Sequence, residues 1–297
     1  MNYELKQIFG SSKIVLLIIL FAFVTGYLSA QKPERPPIWG IAKMTFLVGD
    51  MQKTREFYGR FLGFDEVFSY HSPQGTVVSF KVSDRQFLEF IEDKDAGSKK
   101  RMVSVSFETD SVEKMRDYLV AQGVKNIGKT SKDGAGNEVF TVNDTWGNTI
   151  EFIHFNDKGL HKLSKGKFLS GNRISKRIHH AGLYSEKIDE KDPFWIGALK
   201  CNELLRYPDD KTQAPVILYW GFGNCTENIE LYSPNEVKFG HPCLLVDDMQ
   251  ETVYTLKERA QGQKLPNPSI GKGKRWLLNL SDPAGNRVEF TELHCVK

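Results

Sequence analysis

The chain has 297 residues, with 40 Lys and Arg against 37 Asp and Glu, a net charge of +3, and 40% hydrophobic residues. That composition excludes a disordered, charge-expanded polymer, and the near balance of charge gives no electrostatic sign of nucleic-acid binding. The length suffices for two hydrophobic cores of ordinary domain size.

The first segment stands apart. Lys6 and Lys13 precede an uninterrupted apolar run from Ile14 to Val24, followed by Thr25-Gly-Tyr-Leu-Ser-Ala30. An apolar stretch of this length ending in small residues is the pattern of a secretory signal, here residues 1–30 with cleavage after Ala30. The alternative is an uncleaved anchor over residues 13–30, at the short limit for spanning a bilayer. Export to a periplasmic or extracellular compartment is therefore expected, with a membrane as partner only if the segment is retained. Residues 31–38 read as a linker.

From Ile41 onward the same plan occurs four times. The first copy opens with a strand at Ile41-Ala-Lys-Met-Thr-Phe-Leu-Val48 and continues into a helix from Asp50 to Leu62. Alternating strands such as Thr76 to Val82 follow. The second copy opens at Met102-Val-Ser-Val-Ser-Phe107 and has a helix after Asp110; it closes on Asp144-Thr-Trp-Gly-Asn-Thr-Ile-Glu-Phe152. A stretch rich in lysine and without periodicity, residues 156–176, then separates two halves. It is expected to be a solvated crossover, the other reading being a patch for an anionic partner. The third copy opens at Ile178-His-His-Ala-Gly-Leu-Tyr184, and Asp192-Pro193 is expected to interrupt its helix early. The fourth opens at Phe239-Gly-His-Pro-Cys-Leu-Leu-Val246 and has a helix from Asp248; it closes on Asp282-Pro-Ala-Gly-Asn-Arg-Val-Glu-Phe290. Asp50, Asp110 and Asp248 are expected to be N-caps.

The repeat is regular in its numbers. Lys43, Ser104, His180 and His241 hold one equivalent position, and the intervals from Lys43 to Ser104 and from His180 to His241 are both 61 residues. Each copy closes on an apolar-Glu-apolar strand, and Glu89, Glu151, Glu230 and Glu289 follow those positions by 46, 47, 50 and 48 residues. Alternation along a strand places each carboxylate on the face opposite two hydrophobic neighbours, where burial is costly unless something meets the charge.

This pattern, and above all the twice-written D-x-x-G-N-x-[IV]-E-F strand, resembles the vicinal oxygen chelate superfamily of glyoxalase I, bleomycin-resistance proteins, fosfomycin-resistance enzymes and extradiol dioxygenases. The resemblance spans roughly residues 39 to 293. It implies an α+β fold in which four βαβββ modules pair into two open-barrel domains, residues 39–155 and 177–297, as in the extradiol dioxygenases. It also implies that any divalent metal sits on the first and last strands of paired modules.

The two halves differ in chemistry. In the second, His180, Glu230, His241 and Glu289 offer two imidazoles and two carboxylates, a donor set suited to Zn, Fe, Mn or Ni. If His180, His241 and Glu289 alone bind, they form a two-His, one-carboxylate triad, and Glu230 is free as a general base. The other possibility for each residue singly is a satisfied core imidazole or an ordinary ion pair. In the first half Lys43 stands with Glu89, Ser104 and Glu151, and its ammonium is expected to lie between the glutamates in place of a cation. Strand parity puts Tyr184, Asn228, Tyr232, Arg287 and Thr291 on the cavity face. Arg287 would hold an anionic or carbonyl-bearing small molecule, or else pair with Glu289 or Glu292. The stretch Gly273 to Ser281 lacks the His and Tyr that extradiol dioxygenases carry before their last metal-binding Glu, which argues against ring cleavage. Two class readings remain: a metal-dependent lyase, isomerase or dioxygenase, and a small-molecule binding protein of the bleomycin-resistance type. Cys201, Cys225, Cys243 and Cys295 allow three disulfide pairings in an oxidising compartment, or buried free thiols.

Overall fold

The computed structural model describes residues 33–96, 101–232 and 240–296, so the expected signal or anchor segment lies outside the described residues. Among the described residues no helix is long and apolar enough to cross a membrane.

The first module comprises β1 (Ile38–Val48), α1 (Met51–Thr54, running directly into a π-helical stretch Arg55–Phe61), β2 (Asp65–Ser72), β3 (Gly75–Ser83) and β4 (Gln86–Glu92). The second comprises β5 (Met102–Thr109), α2 (Val112–Ala121), β6 (Ser131–Lys132), β7 (Glu138–Asn143) and β8 (Thr149–His154). After a one-turn helix α3 (Leu160–Leu163), the third module runs through β9 (Arg177–Tyr184), α4 (Pro193–Ala198, π-helical), β10 (Asn202–Tyr207), β11 (Ile217–Gly221) and β12 (Asn228–Tyr232). The fourth runs through β13 (His241–Leu245), α5 (Met249–Arg259), β14 (Ser269–Ile270), β15 (Arg275–Ser281) and β16 (Arg287–Cys295).

The strands form two eight-stranded sheets of one topology, β2-β3-β4-β1-β5-β8-β7-β6 and β10-β11-β12-β9-β13-β16-β15-β14. In every module the first strand pairs in parallel with the last, and the two first strands of each sheet, β1 with β5 and β9 with β13, meet antiparallel at its centre. Each sheet is thus a curled half-barrel of two βαβββ modules, the architecture expected from the repeats. All four closing glutamates consequently stand next to a central strand.

The D-x-x-G-N pattern has a specific structural use. Asp144 Oδ1 accepts from the backbone N–H of Trp146 and Asn148 at 2.9 and 2.8 Å, and Asn148 Nδ2 donates to Asp144 Oδ2 at 2.8 Å. Gly147 takes φ 75°, which a glycine reaches without steric cost. Asn148 Nδ2 also reaches across to the Tyr184 carbonyl at 2.8 Å, tying the second module to the third. Asp282 and Asn286 repeat the turn, and Asn286 Nδ2 reaches the Leu47 carbonyl at 3.4 Å, tying the fourth module to the first. Phe107 packs on Trp195 and Phe222 at the same junction, within one hydrophobic core that draws on both sheets. Fully burying one such ring contributes about 1.5–3 kcal/mol, so the seam is well held.

Three expectations need correction or refinement. Asp50 and Asp248 cap their helices, accepting from the N–H of Lys53 and Glu251, but the cap of α2 is Ser111. Asp110 instead accepts from the Trp39 indole at 2.5 Å, so the residue beside it takes the helix end. Asp192-Pro193 starts a helix and does not interrupt one: Asp192 accepts from the N–H of Phe194 and Trp195, and Pro193 stands in the first turn, where its missing donor costs nothing. The lysine-rich crossover carries its lysines exposed, yet it is anchored by the buried Lys81 ammonium, which donates to the carbonyls of Ser164 and Lys167 and pairs with Asp84. All four cysteines are free thiols.

Candidate metal centre

Each central first strand of a sheet contains a bulge, and its position is decisive. In the first sheet Ile41 pairs with Phe107 and Lys43 with Ser106, leaving Ala42 as the extra residue. In the second, Ile178 pairs with Leu244 and His180 with Cys243, leaving His179. A bulge re-aims the side chains beside it. In the second sheet it brings a second imidazole against the first, with His179 Nδ1 2.9 Å from His180 Nδ1.

The structure brings His180, Glu230, His241 and Glu289 together. His180 Nε2 lies 3.5 Å from Glu230 Oε2 and 3.5 Å from Glu289 Oε1; His241 Nε2 lies 3.5 Å from Glu230 Oε2 and 3.8 Å from Glu289 Oε2. All four residues are buried. His180 Nε2, Glu230 Oε2, His241 Nε2 and Glu289 Oε1 have no hydrogen-bond partner although they face one another. Donor atoms of His180, His241 and Glu289 fall within 4.8 Å of one another. Buried polar atoms ordinarily find partners, and four orphans converging on one point fit a divalent cation with mixed imidazole and carboxylate ligands.

Surrounding groups orient these four. Tyr219 donates its hydroxyl to Glu230 Oε1 at 2.6 Å, and the Tyr232 hydroxyl lies 3.4 Å from His241 Nδ1. Gly182 faces His241 across the β9–β13 ladder, and a Cβ there would stand 2.0 Å from the imidazole, so glycine is what admits the ring. Burial opposes ionisation of Glu230, but His180, His241 and Tyr219 more than offset it and hold the carboxyl down at about 2. Burial, then the charge of Glu230, pushes Glu289 up, the usual division between two carboxyls that share a site. Burial, then Arg287, holds His241 well below the ordinary imidazole range, so it stays neutral with a lone pair to offer. Burial, then Glu289, raises the Cys243 thiol, which makes it a poor ligand despite its place beside His179 and His180.

The site opens onto a cavity of about 570 Å³. Asn228, Tyr232, Arg287 and Thr291 line it, as strand parity predicted. Tyr184 does not: it stands four residues along β9 from His180, a separation of about 13 Å at strand rise. Arg287 lines the cavity but donates Nη2 to Glu289 and Nε to Asn279 Oδ1. Three residues that strand parity left out, His179, Tyr219 and Arg275, also line it. The adjacent pair His179-His180 on a central strand was the available signal for the first; Tyr219 and Arg275 lie on neighbouring strands whose register the repeat did not fix.

The equivalent place in the first domain is filled by an amine. Lys43 Nζ lies 3.3 Å from Glu89 Oε2, 3.3 Å from Glu151 Oε1, 3.6 Å from Asp133 Oδ2 and 3.3 Å from the Tyr70 hydroxyl. Burial alone would depress Lys43, but Glu151 and Glu89 more than offset it and keep the ammonium charged. His161, from the crossover, completes the cluster with Nε2 3.1 Å from Glu89 Oε1 and Nδ1 2.9 Å from Asn137 Nδ2. Ser104 lines the adjoining cavity, and it is Ser106 that donates to Glu151, at 2.6 Å.

Comparison with known proteins places this architecture. Residues 40–152 match the model of the Glyoxalase/Bleomycin resistance protein/Dioxygenase superfamily. No curated protein matches the chain by sequence. Among solved structures, the 2,3-dioxygenase LapB from Pseudomonas sp. KL28 is similar at 16% identity and TM-score 0.65, over 87% of this chain and 93% of that one. The Mn(II)-bound glyoxalase from Novosphingobium aromaticivorans is similar at 17% identity and TM-score 0.65, over 86% and 83%. Homoprotocatechuate 2,3-dioxygenase from Brevibacterium fuscum, in complex with 3,4-dihydroxyphenylacetate, is similar at 15% identity and TM-score 0.63, over 88% and 82%. At such identities these structures share the fold with this chain.

Proposed function

We propose that this chain, which has the two-domain fold of the glyoxalase, bleomycin-resistance and dioxygenase superfamily, is a divalent-metal-dependent enzyme acting on a small oxygen-bearing molecule in its second-domain cavity. One observation carries the reading: the four buried, unpartnered donor atoms of His180, Glu230, His241 and Glu289. A divalent ion such as Fe, Mn, Zn or Ni held there would supply Lewis-acid polarisation of an oxygen bound to it. The chain itself does the rest. His241 and His180 offer imidazole nitrogens, and Glu289 offers charge. Glu230, oriented by Tyr219, either joins the ligand set or accepts a proton from the bound molecule. Tyr232 and Asn228, whose Oδ1 is buried without a partner, are placed to orient polar groups of that molecule. The reaction class is that of a lyase, isomerase or dioxygenase.

The first domain has exchanged the cation for the Lys43 ammonium and serves as structural support. Export rests on residues 1–30, and N-terminal sequencing of the protein from its source distinguishes cleavage after Ala30 from retention as an anchor.

The test is elemental mass spectrometry of the purified protein beside His180→Ala and Glu289→Ala. Near-stoichiometric metal in the parent, lost in both variants, supports the proposal and identifies the ion. No uptake of any of the four ions after reconstitution sinks it. The cavity would then belong to a small-molecule binding protein, the reading favoured by the absence of His and Tyr from β15.

A further inference from the structure

His179, His180 and Arg275 form a hydrogen-bonded line from the cavity mouth to the centre of the site. Arg275 Nη1 lies 3.3 Å from His179 Nε2, and His179 Nδ1 lies 2.9 Å from His180 Nδ1. Guanidinium has donors only, and a neutral imidazole has one donor and one acceptor. His179 is held neutral, down at about 2, by burial and then by the charges of His180, Arg275 and Arg177. Its Nε2 therefore accepts from Arg275, and its hydrogen lies on Nδ1, donated to His180 Nδ1. His180 must then carry its own hydrogen on Nε2, the atom that faces Glu230 and Glu289.

That arrangement is incompatible with a ligand role for His180, because a nitrogen bearing hydrogen has no lone pair to give. Ligation needs the opposite tautomers. His180 would donate from Nδ1 to His179 Nδ1, and the hydrogen of His179 would move to Nε2. There it faces the guanidinium, donor against donor, and the contact with Arg275 is lost.

We propose that Arg275 is the anion-recognising residue of this cavity, held on His179 until a cation engages His180 and then released to the ligand. The inference rests on the metal-centre reading of the preceding subsection. The ligand class follows from the surroundings. Leu204, Leu205, Ile217 and Leu277 give the cavity an apolar wall, and Arg275 Nε is already buried without a hydrogen-bond partner. Arg287 is committed to Glu289 and Asn279, which leaves Arg275 as the guanidinium with donors to spare. The occupant is an organic anion, a carboxylate on an apolar body, which binds after the metal.

Titration calorimetry with 3-phenylpropanoate and its uncharged amide, on the metal-free and zinc-loaded protein, tests this. The carboxylate should bind at least about tenfold more tightly after loading, with the amide unmoved. Arg275→Gln should abolish the gain. His179→Phe should bind the carboxylate tightly with or without zinc, because nothing then holds the guanidinium back. Equal binding of carboxylate and amide by the loaded protein overturns the proposal. So does a gain that survives in Arg275→Gln, since the anion would then be meeting the ion directly. If the parent takes up no zinc, the metal-centre reading fails, and the metal-free His179→Phe comparison still decides the anion site. Tighter carboxylate binding than in the parent supports Arg275, and unchanged binding overturns it. Should His179→Phe not fold, Arg275→Gln against the parent decides alone: carboxylate affinity unchanged by the substitution removes the site.

Discussion

Replacing Lys43 by Met removes one charge while nearly keeping the volume of a fully buried side chain, so the consequence is electrostatic. The ammonium is shared by Glu89, Glu151 and Asp133, and Glu89 is completely inaccessible to water. Without Lys43, Glu89 keeps the Tyr70 hydroxyl at 2.6 Å and His161 at 3.1 Å but has no fixed cation, and Glu151 keeps the Ser106 hydroxyl. Breaking a buried pair by removing one partner costs about 3–5 kcal/mol, because the other charge stays buried. At about 2–4 °C per kcal/mol for a unit of this size, melting should fall by roughly 6–20 °C. Differential scanning calorimetry of the parent, Lys43→Met and Lys43→Met/Glu89→Gln measures it. The double variant should recover part of the loss, since the buried charge goes with its partner, and metal content should be unchanged in all three. A melting shift below about 2 °C, or a double variant less stable than the single one by the full cost of Glu89→Gln alone, would refute the idea that the ammonium neutralises these carboxylates.

Further expectations follow from other contacts. Gly182→Ala should displace the His241 ring and lower metal affinity at least about tenfold in a chelator competition, while the first domain melts as before; the clash at 2.0 Å is with the imidazole. Tyr219→Phe deletes the donor to Glu230 Oε1 and should weaken metal binding by about 10–100-fold, the range for lost outer-shell hydrogen bonds; unchanged affinity would show that Glu230 needs no such orientation. Lys81→Met should free the crossover, read as faster proteolysis within residues 156–176, since the ammonium holds two of its carbonyls. In acid, burial opposes ionisation of Glu89, but Lys43, His161 and Tyr70 more than offset it and bring its folded value down to about 2 from an ordinary 4.5. A depressed folded value means this stabilisation is complete above about 4.5 and is lost as pH falls toward 2. Glu89→Gln should therefore flatten the decline in urea midpoint across that window.

Much of this was legible in the chain because repeats make register redundant. Four copies with near-equal spacing determine which residues of β1, β5, β9 and β13 face which of β4, β8, β12 and β16, and so His180, Glu230, His241 and Glu289 could be grouped before any coordinates. The Lys43 cluster was legible for the same reason. What escaped is what the repeat does not share. His161 comes from the crossover, where no periodicity exists, and it reaches Glu89 only because α3 turns it inward beneath Phe87 and Phe155. Asp133 comes from a loop before a two-residue strand. Tyr184 was placed by parity alone, which gives the face of a strand and says nothing of distance along it.

The bulge gives the clearest account of how one fold yields an inert site and a competent one. Both central strands carry the same irregularity, so backbone geometry does not separate the domains. The side chains placed on it do. In the first domain Ala42 is buried in a small apolar cluster with Phe87, Val139, Ile153 and Phe155, and the next residue is an amine that neutralises its own acidic surroundings. Nothing remains there for a cation to satisfy. In the second domain His179 occupies the bulge and His180 follows, so an acidic centre faces imidazoles that bring no fixed charge of their own. Two carboxylates forced together with neutral partners leave one of them held down and the other pushed up. A divalent cation would relieve that conflict, and the single hydrogen passed between His179 and His180 would report its arrival to Arg275 at the cavity mouth.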